Sequence, residues 1–189
     1  TDKSVTLEKL AETARTKGMV ELLVHETENV VPGRSFPNGC HIVELEIDPD
    51  TGTLAVDRYT IADDFGLLMN PVLAIGQVHG GVAQGLGQAV TEQVVYDESG
   101  QLLTATFMDY AMPRATDMPE MTFHSEPTPS TANAIGMKGC GEAGTVGALA
   151  AVTNAALDAM SVAGVGHVDM PLTPQRVWSW LSSARIAAE

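Results

Sequence analysis

Apolar and polar residues change period several times along the chain, and each change marks an element. From Ser4, residues Leu7, Leu10, Ala11 and Ala14 recur at helical spacing, and Gly18 closes the predicted helix. The run MVELLVHET then predicts a strand that ends in the Pro/Gly loop VPGRSFPNG. HIVELEID alternates strictly, with Val43, Leu45 and Ile47 on one face and Glu44, Glu46 and Asp48 on the other. PDTG turns it back into TLAVDRYTI, which predicts a hairpin. TEQVVYDESGQLLTATF repeats that design around Ser99-Gly100, and MTFHSEP predicts one more strand. Thr173 and Pro174 form an N-cap and N1 pair for a last helix carrying Val177, Trp178 and Leu181. Hairpins and separate helices, with no internal repeat or linker, predict an α+β fold of β-hairpins packed with helices, in one domain over residues 1–189.

Between the hairpins the pattern turns odd. Asn70 and Pro71 are an N-cap and N1, so a helix is expected from there toward Ala89, yet it contains Gly76, Gly80, Gly81, Gly85 and Gly87. Each glycine inside a helix costs about 1 kcal/mol relative to alanine. A sequence that accepts several such costs needs its backbone close to something. Close helix packing through small residues is one reason. A flat or bulky ligand against the glycine face is the other, with Gln77, His79, Gln84 and Gln88 offering neutral donors and acceptors. No second His or Cys stands three or four residues from His79, so no metal held by protein ligands is expected.

Composition narrows the partners. Lys and Arg number 10 against 24 Asp and Glu, a net charge of −14, which argues against nucleic acid or an anionic membrane surface. Charged residues make up only 18% and apolar ones 44%, a balance that leaves surface for another protein part to cover. The two cysteines, Cys40 and Cys140, form no Cys/His cluster and suit a reducing compartment. With no signal-peptide pattern and no apolar stretch of about 18 residues, a soluble, cytoplasmic chain without a membrane span is expected. The first residue is Thr1, which fits a fragment or a processed subunit.

Candidate chemistry concentrates in GMKGCGEAGTVGALAAVTNAALDAM. Gly139, Gly141 and Gly144 spell G-x-G-x-x-G, the dinucleotide-binding fingerprint, but TPSTANAIGMK before it is a poor buried strand. Asp169 is a candidate for the acid that such a turn needs, but only 20 residues follow it, so the rest of such a fold has no room. What remains is Glu142, a carboxylate framed by glycines at the start of an all-round apolar helix. It complements the helix dipole, worth about a few tenths of a kcal/mol, or it is an exposed general base. The residues alone leave both open.

Several motifs agree on a resemblance. DFGLLMNP, NPVLAIGQVHGGVAQGLGQAV, and GMKGCGEAG with its alanine-rich helix, together with FPNGCHIVELEIDPDTG and the terminal TPQRVW, span nearly the whole chain in order. They resemble the C-terminal part of the molybdopterin-binding large subunit of the xanthine dehydrogenase, aldehyde oxidase and carbon monoxide dehydrogenase family. The resemblance implies a second molybdopterin-binding domain and a chain that is a fragment of a larger subunit or assembly. It implies oxidation of an aldehyde, an N-heterocycle or carbon monoxide with water-derived oxygen, Glu142 being the catalytic base beside molybdenum. Gln77, Gly80, Gly81 and Gln84 are implied to lie against the pterin, with Met137, Lys138, Gly139 and Gly141 lining the approach from the other side. The implied cofactor is molybdopterin in its cytosine dinucleotide form, with molybdenum held by the cofactor's own sulfurs. Implied partners are the N-terminal half of the subunit and iron–sulfur and flavin (FAD) domains or subunits. A non-catalytic structural or assembly module on the same fold is the alternative.

Overall fold

The computed structural model describes residues 4–28, 30 and 33–188, which fall into two compact units, residues 1–32 and 33–189. In the first unit, helix α1 (Leu7–Thr16) starts at Thr6, whose hydroxyl accepts from the Lys9 amide at 3.2 Å, and Gly18 ends it at φ 66°. The strand expected over MVELLVHET is not formed. Val20–Leu23 make a single 3₁₀ turn, with Leu22 and Val24 exposed. No strand among the described residues pairs with this segment, and an unpaired strand has no hydrogen-bonding partner to hold it. Val31 and Pro32 of the following loop lie outside the described residues.

The second unit begins with the expected hairpin. β1 (Asn38–Ile47) runs antiparallel to β2 (Leu54–Asp64), with Asp57 bulged between the Glu44–Arg58 and Leu45–Val56 pairs. Val43, Leu45 and Ile47 face inward as the alternation predicts, and His41 shares their face. Gly52 closes the turn at φ 74°, where a Cβ would also strike the backbone of Pro174 and Trp178. β3 (Glu120–Ser125) completes the sheet in the order β1-β2-β3, parallel to β2. The second hairpin does not form strands. A tight turn and one Tyr96–Leu102 bridge are its ladder, while Val94, Tyr96, Leu103 and Phe107 stay exposed. Its apolar side chains find no core to pack on, so the pairing stops at the turn.

Helix α2 (Pro71–Leu86) starts as expected, with the Asn70 side chain accepting from the Leu73 amide and Pro71 in the first turn. It passes into a π-helical turn over Gly87–Thr91. Helix α3 (Ala143–Ser161) packs against both β1 and α2. The core gathers Tyr59, Ile61 and Phe65 of β2, Val78 and Val82 of α2, and Ala148, Val152 and Met160 of α3. Helix α4 (Pro174–Ala188) adds Val177 and Leu181, but Trp178 is 48% exposed and Trp180 packs inward in its place. α3 is not buried all round. Gly144, Thr145, Ala148, Val152, Ala156 and Met160 form one buried stripe, and Val146 on another face is 63% exposed.

The crossing of α2 and α3 explains part of the glycine pattern. A Cβ on Gly81 would lie 2.9 Å from the Thr145 nitrogen, and one on Gly85 would lie 2.6 Å from the Ala148 Cβ. A Cβ on Gly144 would overlap the Val78 carbonyl. These three glycines let two helix backbones touch. Gly76 and Gly80 do not: both are exposed, and a Cβ on either meets nothing within 4 Å.

Candidate functional site

The open glycines lie on the face of α2 that also carries Gln77 and Gln84, and this face borders the glycine turn before α3. The Gln77 amide donates to the Gly141 carbonyl at 2.8 Å, and the Thr145 hydroxyl donates to Gln84 Oε1 at 3.2 Å. Two segments more than 60 residues apart in sequence are thereby joined at the residue before Glu142 and again three residues after it.

Glu142 takes the N-cap position of α3 with φ −123° and ψ −1°, but its side chain makes no capping hydrogen bond. The carboxylate is exposed at the rim of a cavity of about 610 Å³. Gly139, Cys140 and Gly141 border that cavity beside Glu142. Its floor is a stripe of small residues on α3, from Ala143 through Gly147 and Ala150 to Asn154, and its far wall is Pro37–Gly39 and His41 of the β1 end. A carboxylate not engaged in capping, next to a cavity and to amide-bearing helix backbone, is able to accept a proton from a bound molecule.

The turn before Glu142 is anchored from below. Lys138 Nζ lies 2.6 Å from Asp64 Oδ2, and both side chains are nearly buried, at 10% and 9% exposure. Asp64 Oδ1 also accepts from the Gly66 and Thr128 amides, at 2.8 and 3.0 Å. The Lys138 hydrogen bond first, and then these amides, hold the Asp64 carboxyl well below the usual carboxylate range. The backbone continues the anchor, since the Lys138 amide donates to the Phe65 carbonyl and Gly66 bridges Met137. Asn133 closes the loop above, accepting from the Gly136 and Met137 amides and donating to the Met137 carbonyl.

Of the residues singled out from sequence, Gln77, Gly80, Gln84, Gly139, Gly141 and Glu142 are exposed along this junction. Gly81 is buried in the α2–α3 contact. Met137 is fixed by backbone pairing, and the Lys138 ammonium is engaged by Asp64; neither borders the cavity. The residues that the sequence reading passed over are Asp64, Asn133, His41 and Asp63. The adjacent acids of DDFG, placed at the end of an apolar strand, were the available signal for the aspartates.

Whether these residues suit a pterin cofactor rests on the glycine face. Gly80 is unfavourable for helix stability and no internal contact requires it, which fits a ligand lying against the α2 backbone. Gln77 and Gln84 supply neutral hydrogen-bonding groups on the same face. Among the described residues no group of three or more His, Cys, Asp or Glu is placed to hold a metal ion.

Comparison with known proteins gives the family of the chain. The profile of the molybdopterin cofactor-binding domain family matches residues 1–119. The chain belongs to that family. It is 41% identical over 142 residues to the nicotine 6-hydroxylase large subunit of Paenarthrobacter nicotinovorans, covering 75% of this chain and 17% of that one. It is 38% identical over 156 residues to the carbon monoxide dehydrogenase large chain of Hydrogenophaga pseudoflava, covering 82% and 19%. The structure of reconstituted CO dehydrogenase from Oligotropha carboxidovorans superimposes with a TM-score of 0.79 at 35% identity, over 82% of this chain and 19% of that one. The chain thus spans about a fifth of the length of such relatives. They place it in the oxidoreductase family of the xanthine and carbon monoxide dehydrogenases, whose fold it shares. Among the described residues no helix is long and apolar enough to cross a membrane.

Proposed function

We propose that this chain forms one side of the active site of a molybdenum hydroxylase, with Glu142 as the general base. The observation that carries the proposal is the Gln77–Gly141 hydrogen bond, which sets the open glycine face of α2 beside an uncapped carboxylate. Gln77 and Gln84 present amides to the pterin, and Gly80 lets it approach the helix backbone. Gly139 and Gly141 leave Glu142 unshielded by neighbouring side chains. When bound, the molybdenum pterin supplies two-electron redox chemistry and activates water-derived oxygen. Glu142 would accept the proton given up by the water-derived oxygen that the substrate, an aldehyde, an N-heterocycle or carbon monoxide, takes up. The fixed turn beneath it, anchored by Asp64 and Lys138, keeps the carboxylate oriented while the proton moves.

The same reading assigns the rest of the assembly. The other half of the molybdopterin-binding subunit closes the cofactor from the opposite side, and iron–sulfur and FAD domains or subunits carry electrons away. The cofactor is the cytosine dinucleotide form, and the assembly is cytoplasmic. Elemental analysis of the assembled enzyme tests the cofactor face. Gln77→Ala with Gln84→Ala is expected to lower molybdenum content well below the parent's. Full molybdenum content in the folded double variant contradicts the assignment.

A further inference from the structure

Behind the cavity lies a buried polar network with no part in the chemistry assigned to Glu142. His41 of β1 points inward beside the apolar Val43 and Leu45, and its Nδ1 is 2.7 Å from the Tyr59 hydroxyl. Its Nε2 faces Asp63 Oδ1 at 3.4 Å, and the two side chains are 5% and 3% exposed. The second carboxylate oxygen of Asp63 is buried with no partner. Burying an imidazole, a phenol and a carboxylate between a sheet and a helix costs stability that well-packed apolar residues avoid. Two backbones are also shaped around the network. A Cβ on Gly39 would overlap the Asp63 carboxylate, and a Cβ on Gly147 would overlap the His41 ring. β1 and α3 each omit a side chain where the network sits.

Gly147 stands in the second turn of α3, five residues beyond Glu142, and both it and His41 border the cavity. We propose that His41 is a positioning residue, held in one tautomer by Asp63 and Tyr59 and seated under Gly147, that fixes the start of α3 and with it Glu142. The proposal rests on the reading of Glu142 as the base. In this proposal the ring hydrogen is on Nε2, the nitrogen that approaches the Asp63 carboxylate, which can only accept. Nδ1 is then the acceptor for the Tyr59 hydroxyl. Burial, and after it the negative charge of Asp63, push the Tyr59 phenol above its ordinary range, which keeps that hydroxyl a donor. The edge-on arrangement of the two rings, 5.5 Å apart at 80°, leaves the ring little freedom to turn.

The test pairs spectroscopy on the 189-residue chain with kinetics on the assembled enzyme. Ring ¹⁵N shifts of His41 are expected to report hydrogen on Nε2 and a bare Nδ1. Asp63→Asn, whose amide is able to donate, is expected to move the hydrogen to Nδ1. Tyr59→Phe keeps the ring volume and removes the hydroxyl alone. It is expected to shift the amide resonances of Glu142 to Gly147 and to lower kcat roughly 10- to 100-fold with little change in KM, the effect of a misplaced catalytic group. Hydrogen on Nδ1 in the parent overturns the proposal. So do unmoved α3 amides, or an unchanged kcat in the cofactor-loaded Tyr59→Phe enzyme. The tautomer and the amide shifts stand apart from the base assignment, which fails separately if Glu142→Gln turns over normally.

Discussion

The side-chain amide of Gln77 donates to the Gly141 carbonyl at 2.8 Å, tying the middle of α2 to the residue before Glu142. The bond sets one face of a glycine-rich helix beside the turn that carries Glu142. Gly81 and Gly85 turn toward α3, where Gly144, Thr145 and Ala148 leave no space, while Gly76 and Gly80 stay open beside Gln77.

Glycine-to-alanine changes should therefore have opposite signs on the two faces. Gly80→Ala is expected to stabilise the free chain by about 1 kcal/mol, since it removes a helix-interior glycine without a clash. The same change in the assembled enzyme is expected to lower cofactor content. Gly85→Ala meets the Ala148 Cβ and the Thr145 carbonyl, and is expected to destabilise by about 1–3 kcal/mol. Urea unfolding and molybdenum analysis check both. A Gly80→Ala enzyme with full cofactor would count against the ligand role of this face.

The Asp64–Lys138 pair gives a pH dependence with a definite sign. The Asp64 carboxyl titrates below its unfolded value, so its stabilising contribution is complete above an unfolded pKa of about 3.9 and disappears as pH falls through the folded value. Asp64→Asn is expected to lower the urea midpoint at neutral pH, and the gap from the parent is expected to narrow below about pH 4. Equal gaps at pH 3 and pH 7 would show that the ion pair does not hold the turn.

The sequence made some of this legible. Strict alternation in HIVELEID and the Asn70-Pro71 start of α2 predicted elements that the structure forms, because both signals are local. MVELLVHET and the segment around Ser99-Gly100 also have strand-like composition, but a strand needs a paired neighbour and a covered face, and these have neither in the described residues. At the site, the glycine costs identified α2 as unusual without telling Gly80 from Gly81, because that distinction depends on where α3 crosses. The resemblance implied a place for Lys138 in the ligand approach; its ion pair with Asp64, 74 residues away in the sequence, carried no local signal. His41 opens the alternating strand without any pattern that marks it. Its partners on β2 are set by register, which the pattern of one strand does not contain.

One consequence concerns the chain by itself. On the proposal that the cofactor site is shared with another half, the purified 189-residue chain is expected to fold but to retain no molybdopterin and to oxidise no substrate. Near-stoichiometric molybdenum together with dehydrogenase activity would contradict a shared site. Elemental analysis and an assay with an artificial electron acceptor give the answer.

The most direct measurement is the reductive half-reaction of the assembled enzyme carrying Glu142→Gln. Glutamine keeps the volume and much of the hydrogen bonding of glutamate but accepts no proton near neutral pH. With cofactor content near the parent's, reduction followed at the molybdenum or iron–sulfur chromophore is expected to slow by roughly 10²–10⁴-fold, the contribution of a general base. If Glu142 only complements the α3 dipole, the change costs about a few tenths of a kcal/mol of stability and turnover stays near normal. A fully loaded variant that reduces at close to the parental rate would contradict Glu142 as the base.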